Sequence, residues 1–139
     1  MGKRKNVLLI LADQQRMDTV GAYGMNDICK TPNIDRLAEE GIDVAVVDCF
    51  TIKPLDADTV EAYAKKCGAV VCAENHNRNG GLYDSVLQVL AERCPVPAAC
   101  VAVEDSFGEV GPQDYLQKVF GLTKEHIVEQ VKSVIARKK

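Results

Sequence analysis

The sequence predicts an α/β fold: a three-layer α/β/α Rossmann-like sandwich of four or five mostly parallel strands, in a single domain. Three observations predict it. Short apolar runs alternate with amphipathic segments, the pattern of repeated βαβ units. The runs are continuous in Val, Leu and Ile, as expected of parallel strands covered on both faces. The length of 139 residues, 47% hydrophobic and 27% charged, suits one core of ordinary globular composition.

The first strand spans Asn6–Ala12 and is followed by a polar stretch, Asp13–Lys30, that is long for a connection. A short helical turn is expected near Arg16–Ala22 within it. Thr31-Pro32 opens a helix, with Thr as N-cap and Pro at the first helical position, and Gly41 closes it. The valine-rich second strand is Asp43–Cys49. Asp56 or Asp58 caps the next helix, Ala57–Cys67, whose inner stripe is Val60, Ala64 and Cys67, and Gly68 ends it.

Ala69–Ala73 forms the third strand and leads into a polar loop, Glu74–Asn79. Gly80-Gly81 open a helix to about Arg93, with Leu82, Val86, Val89 and Leu90 inward, and Pro95 and Pro97 forbid its continuation. Ala99–Val103 is a short fourth strand suited to a sheet edge. Pro112 starts a helix to Phe120, which Gly121 stops. Thr123 caps the last helix, which runs to Ala136 with Ile127, Val131, Val134 and Ile135 apolar.

The formal net charge of −3 gives no basic footprint for nucleic acid. Lys3-Arg4-Lys5 and Arg137-Lys138-Lys139 are read as solvated ends. The apolar run after the first basic cluster is short, ends in Asp13 and lacks a small-residue cleavage site, so a buried strand explains it better than a signal peptide. No run approaches the ~20 apolar residues of a membrane span. Six cysteines, at positions 29, 49, 67, 72, 94 and 100, contain no C-x-x-C and match no zinc spacing. They are read as small buried hydrophobes, which points to a reducing, cytoplasmic setting.

Two passages resemble known families. Leu11-Ala12-Asp13-Gln14-Gln15-Arg16, Gly21-Ala22-Tyr23-Gly24 and Thr31-Pro32-Asn33-Ile34-Asp35-Arg36-Leu37 resemble the opening of sulfatases and related alkaline-phosphatase-type hydrolases. The resemblance covers residues 5–41 and implies a divalent-metal role for Asp13 and Gln14, which fall where that family has its acidic pair. Oxygen ligands at a strand's carboxyl end suit a hard cation, although six to eight are usual for calcium. The family's C/S-x-P-x-R nucleophile motif is not matched: Cys49-Phe50-Thr51-Ile52-Lys53 lacks both its proline and its arginine.

The second passage is longer. Val47-Asp48-Cys49-Phe50-Thr51-Ile52-Lys53-Pro54-Leu55-Asp56, Ala73-Glu74-Asn75-His76-Asn77, Gly80-Gly81-Leu82 and Val119-Phe120-Gly121-Leu122 resemble the C-terminal domain of transketolases, especially the separate C-terminal subunit of split transketolases. The resemblance covers residues 41–139. Deoxyxylulose-phosphate synthases and the beta subunits of 2-oxoacid dehydrogenases share it more distantly. In that family thiamine diphosphate and magnesium sit between the preceding domains, so the resemblance implies a non-catalytic part. The family's G-D-G diphosphate motif and its cofactor-activating glutamate do not occur in this sequence.

An anion site is expected in the Glu74–Leu82 loop, where Gly80 and Gly81 would offer backbone N–H groups and His76 and Arg78 would add charge. Glycines at that place also suit a tight turn and close helix–sheet packing. His126, in the last helix, is expected to be exposed. No catalytic residue is assigned. The leading expectation is a chimeric, engineered α/β domain, residues 1–41 sulfatase-like and 42–139 transketolase-like, with no catalytic activity or cofactor of its own. Two alternatives stay open: a C-terminal subunit assembling with an N-terminal transketolase subunit that carries thiamine diphosphate and magnesium, and a metal-dependent sulfate or phosphate ester hydrolase using Asp13. A domain separated from such neighbours would expose apolar surface and favour a homodimer. Neither nucleic acid nor membrane is an expected partner.

Overall fold

A computed structural model describes residues 42–138 in full and residues 7–12 as a backbone strand. The expected helix Thr31–Gly41, the stretch Asp13–Lys30 and Cys29 lie outside the described residues. The elements, in chain order, are β1 (Val7–Ala12), β2 (Asp43–Asp48), α1 (Ala57–Cys67), β3 (Val70–Asn77), α2 (Leu82–Arg93), β4 (Ala98–Val103), α3 (Gln113–Val119) and α4 (Lys124–Ala136). Each of the last seven falls within a few residues of the position its sequence signals indicate.

The strands form one parallel sheet in the order β2-β1-β3-β4. β1 pairs with β2 from Val7↔Asp43 to Ala12↔Asp48, and with β3 from Leu9↔Val70 to Ala12↔Ala73. The expected strand Asn6–Ala12 therefore lies beside the second strand and inside the sheet. β4 takes an edge, as its short length suggests.

Alternation along β3 divides the core into two clusters. Val70 and Cys72 point to one side with Cys100 and Ala102 of β4, where Val60, Ala64 and Cys67 of α1 and Leu82, Tyr83, Val86 and Leu90 of α2 cover them. Ala69, Val71 and Ala99 face the other side and meet Val128, Val131 and Val134 of α4. Helices on both faces of a parallel sheet make the three layers. On α4, Val128 is buried while Ile127 and Ile135 pack at the margin, a rotation of the expected stripe toward the sheet.

Local chemistry sets the ends. Asp56 is the α1 cap: Thr59 N donates to its Oδ1 at 3.0 Å and Thr59 Oγ1 to its Oδ2 at 2.8 Å. These bonds hold the Asp56 carboxyl below the usual aspartate range. Gly68 stops α1 at φ 71°, its N–H donating to Ala64 O at 2.8 Å. Thr123 caps α4 by accepting from His126 N at 3.3 Å. At the far end, Arg137 donates to Ala98 O at 2.6 Å and Lys138 to Cys67 O at 2.9 Å, so the last residues clip the start of β4 and the end of α1.

Two expectations are corrected. β3 does not end at Ala73: an irregularity between Ala73 and Asn77 lets it shift and resume pairing at Asn77↔Val103, followed by Arg78 N donating to Val103 O at 2.8 Å. Residues 74–77 are thus strand, where a loop was expected. His126 is half-buried, its Nδ1 2.8 Å from Gly121 O and its Nε2 3.0 Å from Gln130 Nε2, because the turn between α3 and α4 folds onto it. No helix among the described residues is long and apolar enough to cross a membrane.

Candidate functional site

Parallel α/β sheets present their ligand sites beyond the carboxyl ends of the strands, near the place where the strand order reverses. Here that reversal lies between β1 and β3. β1 ends at Ala12, and the two candidate metal residues that follow, Asp13 and Gln14, lie outside the described residues. β3 carries Glu74, which is only 6% exposed.

Burying a carboxylate demands partners, and α2 supplies them. Leu82 N donates to Glu74 Oε2 at 2.7 Å and Tyr83 N donates to Glu74 Oε1 at 3.0 Å. These are orphan N–H groups of the first helical turn, where the helix dipole also favours negative charge. Gly81 makes the approach feasible: a Cβ there would stand 2.2 Å from Glu74 Oε2. The same helix start holds a second internal carboxylate, since Gly80 N donates to Asp84 Oδ2 at 2.6 Å.

Around the expected anion site, the polar groups are engaged by the chain's own charges. Gly80, Leu82 and Tyr83 direct their N–H groups to Asp84 and Glu74. Arg78 is spent on Glu104, at 3.2 and 3.4 Å from its two oxygens, and lies 5.4 Å from the centre of the Tyr83 ring. His76 is exposed, with Nδ1 2.9 Å from Asn77 O. Glu74, the residue that organises this corner, was read from sequence as part of a loop. Its legible signal was an acidic residue shortly before a Gly-Gly helix start.

Beside Glu74 opens a cleft of about 530 Å³, in the usual size range of small-molecule sites. Val101, Leu116, Leu122 and Ile127 form its apolar wall, and Glu74, Asn75 and Gln113 its polar one. A second cleft, of about 490 Å³, lies between the loop after β2 and α2, lined by Ile52, Lys53, Leu55, Ser85 and Arg93 among others.

The thiols are poor nucleophiles. Cys67, Cys72, Cys94 and Cys100 carry thiols outside any disulfide. Burial pushes the Cys67 thiol up to about 11 and raises Cys72 and Cys100 as well, so each stays neutral near pH 7. Among the described residues, no group of three His, Cys, Asp or Glu side chains could hold a metal ion.

The relatives agree with a domain of this kind. Residues 32–127 match the family described as transketolase, C-terminal domain. The match begins ahead of Gly41, so the transketolase-type sequence enters the stretch on which the sulfatase resemblance rests. The chain is 46% identical over 104 residues to the 6-deoxy-6-sulfo-D-fructose transketolase subunit SqwH of Clostridium sp. strain MSTE9, covering 75% of this chain and 32% of that protein. It is 37% identical over 114 residues to the 1-deoxy-D-xylulose-5-phosphate synthase of Syntrophotalea carbinolica, covering 80% of this chain and 18% of that one. Among solved structures, a split gene transketolase described as an inactive beta4 tetramer overlays 97% of this chain and 41% of its own, with 34% identity and a TM-score of 0.77. The chain thus spans a third or less of these two curated relatives. By fold and by sequence, the chain belongs to the transketolase C-terminal domain family.

Proposed function

We propose that this chain is the non-catalytic, C-terminal part of a transketolase-type assembly, and that ketol transfer between sugar phosphates occurs on partner chains carrying thiamine diphosphate and magnesium. The observation that carries this reading is the overlay of 97% of the chain on only 41% of a split transketolase subunit. The two share one α/β layer structure, and in this chain the internal carboxylates Glu74 and Asp84 hold the α2 start. That arrangement suits a rigid piece which supports other domains.

Several polar groups of this chain are engaged within the domain itself. The buried thiols are neutral, and Arg78 and the α2 N-terminus are internally paired. The contribution of the domain is structural: it presents a fixed surface to its partners.

The test combines the purified chain with a transketolase lacking its C-terminal domain, in the presence of thiamine diphosphate, magnesium and a sugar-phosphate donor and acceptor. The expected result is saturable recovery of ketol transfer with added chain, and no activity from the chain alone. Unchanged activity across a full titration would overturn the assignment.

A further inference from the structure

The segment Glu104–Asp114, which leaves the edge strand β4 and enters α3, presents Phe107 at 99% exposure and a fully exposed Val110. Singly exposed apolar residues are ordinary, but two on one short loop with an aromatic among them are the composition of an interface anchor. The loop is braced at several points. Glu104 is tied to Arg78, Ser106 N donates to Glu104 O at 2.6 Å, and Tyr115 Oη donates to Glu109 Oε2 at 2.8 Å. Its far end is packed closely, because a Cβ at Gly111 would stand 2.8 Å from the Tyr115 ring. Phe107 is therefore held outward by a braced loop whose far end, at Gly111 and Gln113, lines the cleft beside Glu74.

Charge specifies what covers it. Glu104, Asp105, Glu109 and Asp114 share the segment with the two apolar residues, and it contains no Lys, Arg or His. An isologous contact between two copies through this loop would set carboxylates against carboxylates. The complementary surface is an apolar pocket rimmed by lysine or arginine.

Resting on the function proposed above, we propose that the loop Glu104–Asp114 is the docking element of this domain, with Phe107 and Val110 as anchors. Its occupant is the part of a transketolase subunit that this chain does not span, meeting it with a basic-rimmed apolar pocket. Preorganisation of the loop lowers the ordering cost of association, and the acidic rim steers the encounter.

The test titrates the full chain against SqwH from which the segment matched by this chain has been removed, the fold of that probe being checked by circular dichroism. Three forms of the chain are compared: wild type, Phe107→Ser/Val110→Ser, and Asp105→Lys. Because these side chains are exposed, all three should melt at the same temperature. The expected result is at least ~30-fold weaker binding for the apolar variant. The charge variant should bind ~10-fold more weakly at low salt, with the difference shrinking as salt rises. If wild type binds and the apolar variant binds equally well, the docking assignment is overturned while the assembly reading stands. If wild type does not bind a folded probe, both are overturned. Sedimentation of the chain alone supplies a third outcome: self-association abolished by Phe107→Ser/Val110→Ser would assign the loop to a copy-to-copy contact and overturn the proposal.

Discussion

Removing the Glu74 carboxylate should destabilise the protein more than any other single polar change at the carboxyl end of the sheet. The side chain is 6% exposed and accepts from two backbone N–H groups of the first turn of α2. A hydrogen bond to a charged group contributes about 1.5–3 kcal/mol net, and a buried donor left without a partner costs about 1–3 kcal/mol. Glu74→Ala forfeits both bonds but is spared the desolvation of a carboxylate, so a loss of ~3 kcal/mol is expected. Glu74→Gln keeps one acceptor oxygen while turning its NH2 toward a donor, and should lose ~1–2 kcal/mol.

Urea unfolding followed by far-UV circular dichroism reads this directly. With a slope of ~1–3 kcal/mol/M, Glu74→Ala should lower the midpoint by ~1–3 M without altering the slope. Gly81 supplies a control on the mechanism. A Cβ there would stand 2.2 Å from Oε2 and 2.8 Å from Cδ of Glu74, so Gly81→Ala must displace the carboxylate. Once the carboxylate is gone, that clash is gone too. The double substitution Glu74→Ala/Gly81→Ala should therefore cost at least ~1 kcal/mol less than the sum of the singles. A Glu74→Ala midpoint within error of wild type, or strict additivity in the cycle, would refute the reasoning.

Three further outcomes are expected. Gly68→Ala, at φ 71° and with its new Cβ 3.2 Å from Lys138 Cε, should cost ~1–2 kcal/mol in the same unfolding assay. Burial raises Cys67 to about 11 in the folded protein from an ordinary value near 9, so the folded state holds a proton that the unfolded state releases. Stability from this group is complete below pH 9 and is lost as pH rises from 9 through 11, which Cys67→Ala should flatten in a pH series of melting temperatures. Thr123→Ala removes the α4 cap and should cost ~0.5–2 kcal/mol, whereas Arg78→Ala, which breaks a solvent-exposed ion pair, should stay within about 1 kcal/mol of wild type.

The regular elements were legible because several weak signals coincided at each boundary. Asp56, Gly68, Pro112, Gly121 and Thr123 mark helix ends by side-chain chemistry or backbone handedness, and each stands where those rules place it. What failed to show was chemistry that depends on a contact across the sheet. Glu74 has the composition of a loop residue, and only the packing of α2 against β3 turns it into a buried cap. At Gly80-Gly81, where an anion site is expected from sequence, the carboxylates of Asp84 and Glu74 accept from the helix start. Phe107 drew no inference because a single phenylalanine between turn residues reads equally well as core or surface. The transketolase resemblance carried most of the functional reading, and the family match at residue 32 extends it past the junction set at Gly41. The sulfatase-like wording of the first residues remains a resemblance of sequence.

The place of β1 has a consequence for how the chain can be assembled. The strand nearest the start of the chain lies between β2 and β3, bonded to both, so it is the template on whose two edges the later strands are laid. Without it, β2 and β3 are two separate edges with a strand-wide slot between them, and such edges invite pairing with other chains. The slot asks little of its occupant beyond an extended apolar run in parallel register, here Val7–Ala12. With the tethered strand removed, a short peptide of that sequence supplied in trans should insert into the slot.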